Sequence, residues 1–479
     1  MTARGIVGFG GYVPWWRIPR AAIAGAHGGS GKGARAVASY DEDATSMAVE
    51  AGRLALRPLG DHGRHSVRQL LFTSTAPSYV DKTNATTVHA GLRLDRTATA
   101  FDLNGAMRSA AGALQLALQG RTTTLVTMAD LRTGLPNSPD ERDGGDGASA
   151  LLIGDDTEQA PVLAEFLGGA SATEEFVDRW RTPGDNRSKQ WEERFGEMRY
   201  GPLAAEAWKR ALEATGLAPD DLTSVGVVGS HARAVKQAGG KVSAGVQNGL
   251  TDDLTGVIGN AGAAHLGLVL ASMLEAAEPG HVLGVLSLAD GADVFLFRAT
   301  DALRSWRPIR SVAAQITTGN DDPGLPYLKF LSWKGMAAVQ PPNRPEPARA
   351  SSSAAARNEG WKYGFVGSVD SGSGTVHLPP ARVSFRTDAV DAMAPQPMAD
   401  AEGTIVTFTV DRLAYSPSPP VVFAVVDFDE AAGGGRMPIE LTDVDAATVA
   451  IGDRVRMTFR RLNQSDGIQN YFWKAVPVR

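Results

Sequence analysis

Residues 101–118 read FDLNGAMRSAAGALQLAL, and residues 259–274 read GNAGAAHLGLVLASML. Each stretch places an asparagine before a helix rich in small and apolar residues. Asn104 and Asn260 stand 156 residues apart. The same offset carries Ser74-Thr75-Ala76 onto Ser230-His231-Ala232, and AVEAGRLAL at 48–56 onto AAEAWKRAL at 204–212. Each copy then closes on an apolar run ending in Ala-Asp, LVTMAD at 125–130 and VLSLAD at 285–290. Three motifs sharing one register identify an internal duplication.

Each copy reads helix, strand, turn, helix, strand. Apolar residues recur at helical spacing in 48–56, while QLLFTST (69–75) and SVGVVGS (224–230) are short, β-rich and buried in character. Strands alternating with helices predict a largely parallel sheet covered on both faces. Two such halves related by a pseudo-twofold make a duplicated, five-layer α/β domain. Ligands in open α/β sheets gather at the carboxyl ends of strands. His231 follows a strand, Asn260 opens a helix and Met107 opens the matching helix of the first copy, so the three are expected to converge between the halves.

The chain of 479 residues implies two or three domains, and 43% hydrophobic with 21% charged residues describes a globular protein with a sizeable core. The net charge of −6 argues against nucleic-acid or anionic-membrane partners. There is no cysteine, which removes disulfides, thiolate metal sites and a cysteine nucleophile together. The opening MTARGIVGFGGYVPWWRIPR has too short an apolar run for a signal peptide or membrane span, so a cytoplasmic location is expected.

Over roughly residues 4–300 the sequence resembles the thiolase superfamily, in the branch of hydroxymethylglutaryl-CoA synthases and ketoacyl-ACP synthases III. The likeness rests on GIVGFGGYVP, FDLNGAMRSAAGAL, GSHARAVKQ and GNAGAAHLGLVLA, and the insert FVDRWRTPGDNRSKQWEERF resembles a synthase segment between the halves. In that family a cysteine at the helix N-terminus is acylated, while a His and an Asn hold the thioester oxygen. Matched motif to motif, the cysteine position falls on Met107, the His on His231 and the Asn on Asn260. The synthase glutamate has no counterpart in FTSTAPSYVDKTNA, which offers Thr75 near the pocket and no carboxylate before Asp81. A thioether cannot be acylated, so the covalent half of a Claisen condensation is excluded at Met107.

The resemblance therefore implies a Cys-independent enzyme acting on an acyl-CoA, with CoA present as part of the substrate. His231 and Asn260 would hold an enolate while a carbon–carbon bond is cleaved or formed by retro-aldol or retro-Claisen chemistry. Met107 would fill the nucleophile's volume with an adaptable apolar group. The alternative is a non-catalytic partner of a separate, cysteine-bearing thiolase. Thiolase-type pairing implies a homodimer, or a heterodimer with another thiolase-like subunit. His265 is a packing residue or a pocket residue. Arg233 and Lys236 face a CoA entrance or form a solvated helical face. Tyr79, Ser230 and Asp290 lie on loops near the cleft, and nothing in the sequence selects a base among them.

Beyond residue 300 the composition changes. PPNRPEPARASSSAAARNEG (341–360) has no apolar period and reads as a linker, and PYLKFLSWKG before it as a docking helix. Strands with period-2 alternation follow, GTIVTFTVDRLAY, VVFAVVDFD, MPIELTDV and DRVRMTFRRLNQ, which predict a small β-barrel. This region resembles the acyl-CoA-associated family that joins a rubredoxin-like zinc ribbon to an OB-fold. Its four ribbon cysteines match Asp370, Ser373, Ser384 and Thr387, so no zinc is expected. Packing around Val376, Leu378 and Val383 is expected to hold the knuckle. Arg454, Arg456, Arg460 and Arg461 are offset by DFDEA, Asp443, Asp445 and Asp453, which disfavours nucleic acid. The barrel then shapes a CoA channel or serves assembly. The expected domains are 1–165 and 166–305 for the two halves, 306–360 for the linker, 361–398 for the degenerate ribbon and 399–479 for the OB-fold.

Overall fold

The computed structural model describes residues 3–320 and 324–479. Residues 1–2, in the range read as the first half, and 321–323, in the range read as linker, lie outside the described residues. The chain divides into two compact units, one of residues 1–38, 43–86 and 94–327, the other of 39–42, 87–93 and 328–479.

The first unit is built on a nine-stranded sheet. Its strands run, edge to edge, Ser224–Gly229, Val282–Leu288, Ala292–Ala299, Ala164–Ala172, Arg4–Tyr12, Gly147–Asp155, Thr124–Asp130, Gln69–Thr73 and Thr99–Asp102. The halves meet where Arg4–Tyr12 pairs with Ala164–Ala172. On either side the order mirrors the sequence duplication. One difference from expectation is the sense of pairing: the sheet is mixed. Ser224–Gly229 with Val282–Leu288, Gln69–Thr73 with Thr124–Asp130, and Gln69–Thr73 with Thr99–Asp102 are parallel. The other neighbours are antiparallel. The reason is connection length: only Ala289, Asp290 and Gly291 link Val282–Leu288 to Ala292–Ala299, too few for a crossover helix.

Helices cover the sheet closely. Ala44–Leu56 has all thirteen residues buried and starts at a capping box, in which Asp43 accepts from the Ser46 amide and Ser46 Oγ accepts from the Asp43 amide. Its approach explains the glycines of GFGG: a Cβ on Gly10 would come 2.6 Å from Leu54 Cβ, and one on Gly8 2.7 Å from the Ala55 carbonyl oxygen. His265–Ala276, apolar except at His265, Ser272 and Glu275, is buried over nine of its twelve residues.

The second unit contains a closed five-stranded barrel in the order Glu402–Asp411, Val421–Phe428, Arg436–Leu441, Ile468–Pro477, Arg454–Ser465. The OB-like barrel read from the alternation is present. Its core is aromatic: Phe365 stacks on Trp473 with ring centroids 5.8 Å apart, and Phe459 stacks on Tyr471 at 5.4 Å. A three-stranded sheet, Val376–His377, Val366–Asp370 and Met393–Pro397, precedes the barrel. Val376 is buried there, but Val383 is 51% exposed and contributes little packing.

Candidate active site

The site of the first unit forms where the two halves exchange hydrogen bonds. Asp130, at the end of its strand, accepts from the Thr75 amide at 2.9 Å and from Thr75 Oγ1 at 2.8 Å, both in the first half. Its other oxygen accepts from the Ala263 amide of the second half at 2.9 Å. The same turn fixes Asn260, whose Oδ1 accepts from the Gly262 amide at 3.0 Å and whose Nδ2 donates to the Gly229 carbonyl at 2.7 Å. Gly229 lies two residues before His231, so Asn260 and His231 share one corner.

His231 is 8% exposed, and both ring nitrogens are engaged. Nδ1 accepts from the Ala234 amide at 3.1 Å, which leaves the proton on Nε2, donated to the Glu193 carbonyl at 2.8 Å. The Asn260 amide has a second N–H that meets no acceptor among the described residues. Tyr200 lies beside the imidazole, ring centroids 6.1 Å apart. The Tyr200 hydroxyl is 3.4 Å from Ser230 Oγ and accepts from the Asp290 amide at 3.1 Å, and burial pushes its pKa up to about 12.

Asp178, from the insert between the halves, was not singled out by the sequence. Its residue is 4% exposed, and its carboxylate accepts no hydrogen bond among the described residues. It stands next to His231: a Cβ on Gly196 would come 2.4 Å from Asp178 Oδ1 and 2.9 Å from His231 Nε2, so only glycine fits between them. Burial raises the Asp178 pKa above the ordinary carboxylate value, against the attraction of His231 and Arg179. Asp290 is raised as well, first by burial and then by the charge of Asp178. Two neighbouring carboxylates thus have raised affinity for a proton, and one of them, Asp178, stands beside the His231 imidazole.

Met107 is partly buried at the mouth of the helix Arg108–Gln119. Its neighbour Arg108 ties this end to the second half, donating to Asp293 at 2.9 Å and to the Asp290 carbonyl at 2.8 Å. A cavity of about 800 Å³ opens alongside, lined by Ala106, Arg108, Glu174, Glu175, Asp290 and Asp293 among others. His265 is buried and accepts from the Ala261 amide at 3.2 Å, with its pKa lowered by burial, which makes it a neutral structural neighbour of Asn260. Lys236 is exposed, and Arg233 pairs with Glu193 at 2.8 Å with both side chains more than half exposed, which describes a solvated helix face.

In the second unit the four positions matched to ribbon cysteines meet at one point. Asp370 Oδ2 accepts from Ser373 Oγ at 2.8 Å and from Thr387 Oγ1 at 2.7 Å, and Asp370 Oδ1 accepts from the Gly372 amide at 2.9 Å. Ser384, fully buried, lies beside Asp370, and the hydroxyls and amide around it hold the carboxyl well below the ordinary carboxylate range. Three neutral hydroxyls and one carboxylate already saturated with donors do not fit zinc, which takes thiolates and imidazoles. Among the described residues no group of three or more His, Cys, Asp or Glu is placed to hold a metal ion.

This chain is similar to hydroxymethylglutaryl-CoA synthases. It is 27% identical over 314 residues to that of Pyrococcus horikoshii, covering 63% of this chain and 88% of the relative. The Methanothermobacter thermautotrophicus synthase is 28% identical over 350 residues, covering 69% and 98%. Solved structures of the same fold include a hydroxymethylglutaryl-CoA synthase complexed with CoA, at 17% identity, TM-score 0.55 and coverage of 66% of this chain and 87% of that one. Another is 3-oxoacyl-[acyl-carrier-protein] synthase III of Aquifex aeolicus, at 17% identity, TM-score 0.51 and coverage of 62% and 99%. Residues 396–460 match the family model described as "ChsH2, C-terminal OB-fold domain". Among the described residues no helix is long and apolar enough to cross a membrane.

Proposed function

We propose that this protein acts on an acyl-CoA and breaks, or in reverse forms, a carbon–carbon bond without an acyl-enzyme. The observation that carries the reading is Asp178: a buried carboxylate without a hydrogen-bond donor, beside His231, in a chain with no cysteine to acylate. The relatives named above are synthases, and their name brings the acyl-CoA substrate class to this reading. The absence of cysteine separates it from synthase chemistry.

The substrate of this reading is a β-hydroxyacyl thioester. Asp178 takes the proton of the β-hydroxyl, and the β-carbon leaves as an aldehyde or ketone. The electron pair of the Cα–Cβ bond passes into the thioester as an enolate, which Cα protonation converts to the shortened acyl-CoA. The free N–H of Asn260 meets the enolate oxygen, joined by His231 Nε2–H when it turns from the Glu193 carbonyl. Each such donor contributes roughly 3–4 kcal/mol in a dry site. The test is incubation of the isolated full chain with a β-hydroxyacyl-CoA, with mass-spectrometric detection of the shortened thioester. Turnover lost in His231→Ala supports the reading; an inert wild-type chain overturns it.

A second reading, a homo- or heterodimeric partner without catalysis of its own, is favoured by one observation. Both His231 nitrogens are spent on backbone groups. It predicts that product appears only when a cysteine-bearing thiolase is added.

The same proposal leaves residues 361–398 free of zinc, as a ribbon closed by hydrogen bonds to Asp370. Because the four positions converge, the combined variant Asp370→Cys, Ser373→Cys, Ser384→Cys and Thr387→Cys is expected to bind one zinc per chain. Elemental analysis and the visible spectrum of the cobalt form check this. Stoichiometric zinc in the purified natural chain would refute it.

A further inference from the structure

The barrel unit contains a second cavity, of about 650 Å³, with no role in the chemistry above. That volume lies within the range of small-molecule sites. Its walls include Tyr40, Tyr415, Phe423, Ile439, Leu462 and Phe472, an aromatic and aliphatic surface suited to an apolar body.

The polar groups at its edge divide into spent and unspent. Glu440 accepts from Lys474 Nζ and, at 3.3 Å, from the Tyr40 hydroxyl. Arg461 donates to the Tyr40 carbonyl at 2.7 Å and to Gln469 Oε1 at 3.3 Å. Both charges are therefore committed within the unit, and neither a phosphate nor an ammonium finds an idle counter-charge in them. Asn463 differs. It lines the cavity, and its Oδ1 is buried with no hydrogen-bond partner. A buried amide without a partner is costly, and a ligand that completes it gains what the free protein lacks. A hydroxyl both donates and accepts, so it pairs with either end of the amide after a turn about Cβ–Cγ.

We propose that this cavity is a binding site for a neutral, largely apolar molecule carrying a hydroxyl, its body held by the aromatic walls and its hydroxyl by the Asn463 amide. The site does not depend on the acyl-CoA reading of the first unit.

The test uses the full chain and two matched probes, 1-naphthol and naphthalene, followed by quenching of tryptophan emission, with Trp473 in the cavity wall. One saturable site per chain is expected, with 1-naphthol binding about tenfold tighter than naphthalene, the size of one neutral hydrogen bond. Asn463→Leu should bring the two probes to equal affinity, and Leu462→Trp should abolish both. If Leu462→Trp does not fold, Phe423→Ala, at a half-exposed position, should weaken both probes at least fivefold. Absence of saturable binding, equal affinity for both probes in the natural chain, or a naphthol preference that survives Asn463→Leu would each overturn the proposal. Displacement of naphthol by single-stranded oligonucleotide at equal concentration would also overturn it, by showing a nucleic-acid groove instead.

Discussion

Asp178→Asn is expected to lower kcat for β-hydroxyacyl-CoA cleavage by about 10²–10⁴-fold, the usual contribution of a positioned general base. The substitution keeps the size of the side chain and removes only its capacity to take a proton. The fold should persist, because no hydrogen bond among the described residues depends on the carboxylate. A change in KM alone would show that Asp178 merely binds. The pH profile gives a second readout. Burial raises the pKa of Asp178, and a base works only when deprotonated. Activity should therefore fall on acidification at a pH above that of an ordinary carboxylate near 3.9. Asp290 is raised for the same reason and is also near Asp178, so a residual acid limb in Asp178→Asn would identify Asp290 as the substitute base.

Lys474→Met is expected to destabilise the barrel unit by about 3–5 kcal/mol, the cost of stripping one partner from a buried ion pair. Lys474 is fully buried, bonded to Asp41 at 2.9 Å and to Glu440. Arg460, 1% exposed, binds the same Asp41 at 3.2 Å, Glu42 at 3.0 Å and Asp443 at 2.6 Å. Without Lys474, a network with an excess of carboxylates keeps one cation. Burial acts to raise the Asp41 pKa, but Lys474 and Arg460 outweigh it and hold the group below its ordinary value. A depressed carboxylate contributes stability that is present above its unfolded pKa, about 3.9, and lost as pH falls below that. In Lys474→Met that acid loss should begin at higher pH. Urea unfolding across pH 3–7 measures both effects. Arg349→Met serves as the control, since its pair with Asp466 is 2.7 Å long but more than 60% exposed on both sides, and should cost under about 1 kcal/mol. Equal effects from the two variants would refute the argument.

Much of the architecture was legible without coordinates. The 156-residue register of Asn104 and Asn260 exposes the duplication, and from the ends of the matching elements a convergence of Met107, His231 and Asn260 is expected. Alternation over 403–464 was enough for the barrel. The base was not legible. Asp178 lies 53 residues before His231, in an insert without periodicity, and its meaning depends on Gly196 allowing the two side chains to approach. Nor does any local pattern show that residues 39–42 group with the barrel unit, where Asp41 and Glu42 meet Arg460.

From the sequence alone follow the repeat, the missing sulfur and hence the exclusion of an acyl-cysteine, and the alternation that makes a barrel. These are properties of composition and spacing, which report which face of each element is buried and which reactions lack an atom. Only the tertiary structure decided the mixed pairing of the sheet, the company of His231, and the hydrogen-bonded closure at Asp370. Those depend on where the chain's path brings distant side chains together and on which charges it takes out of water.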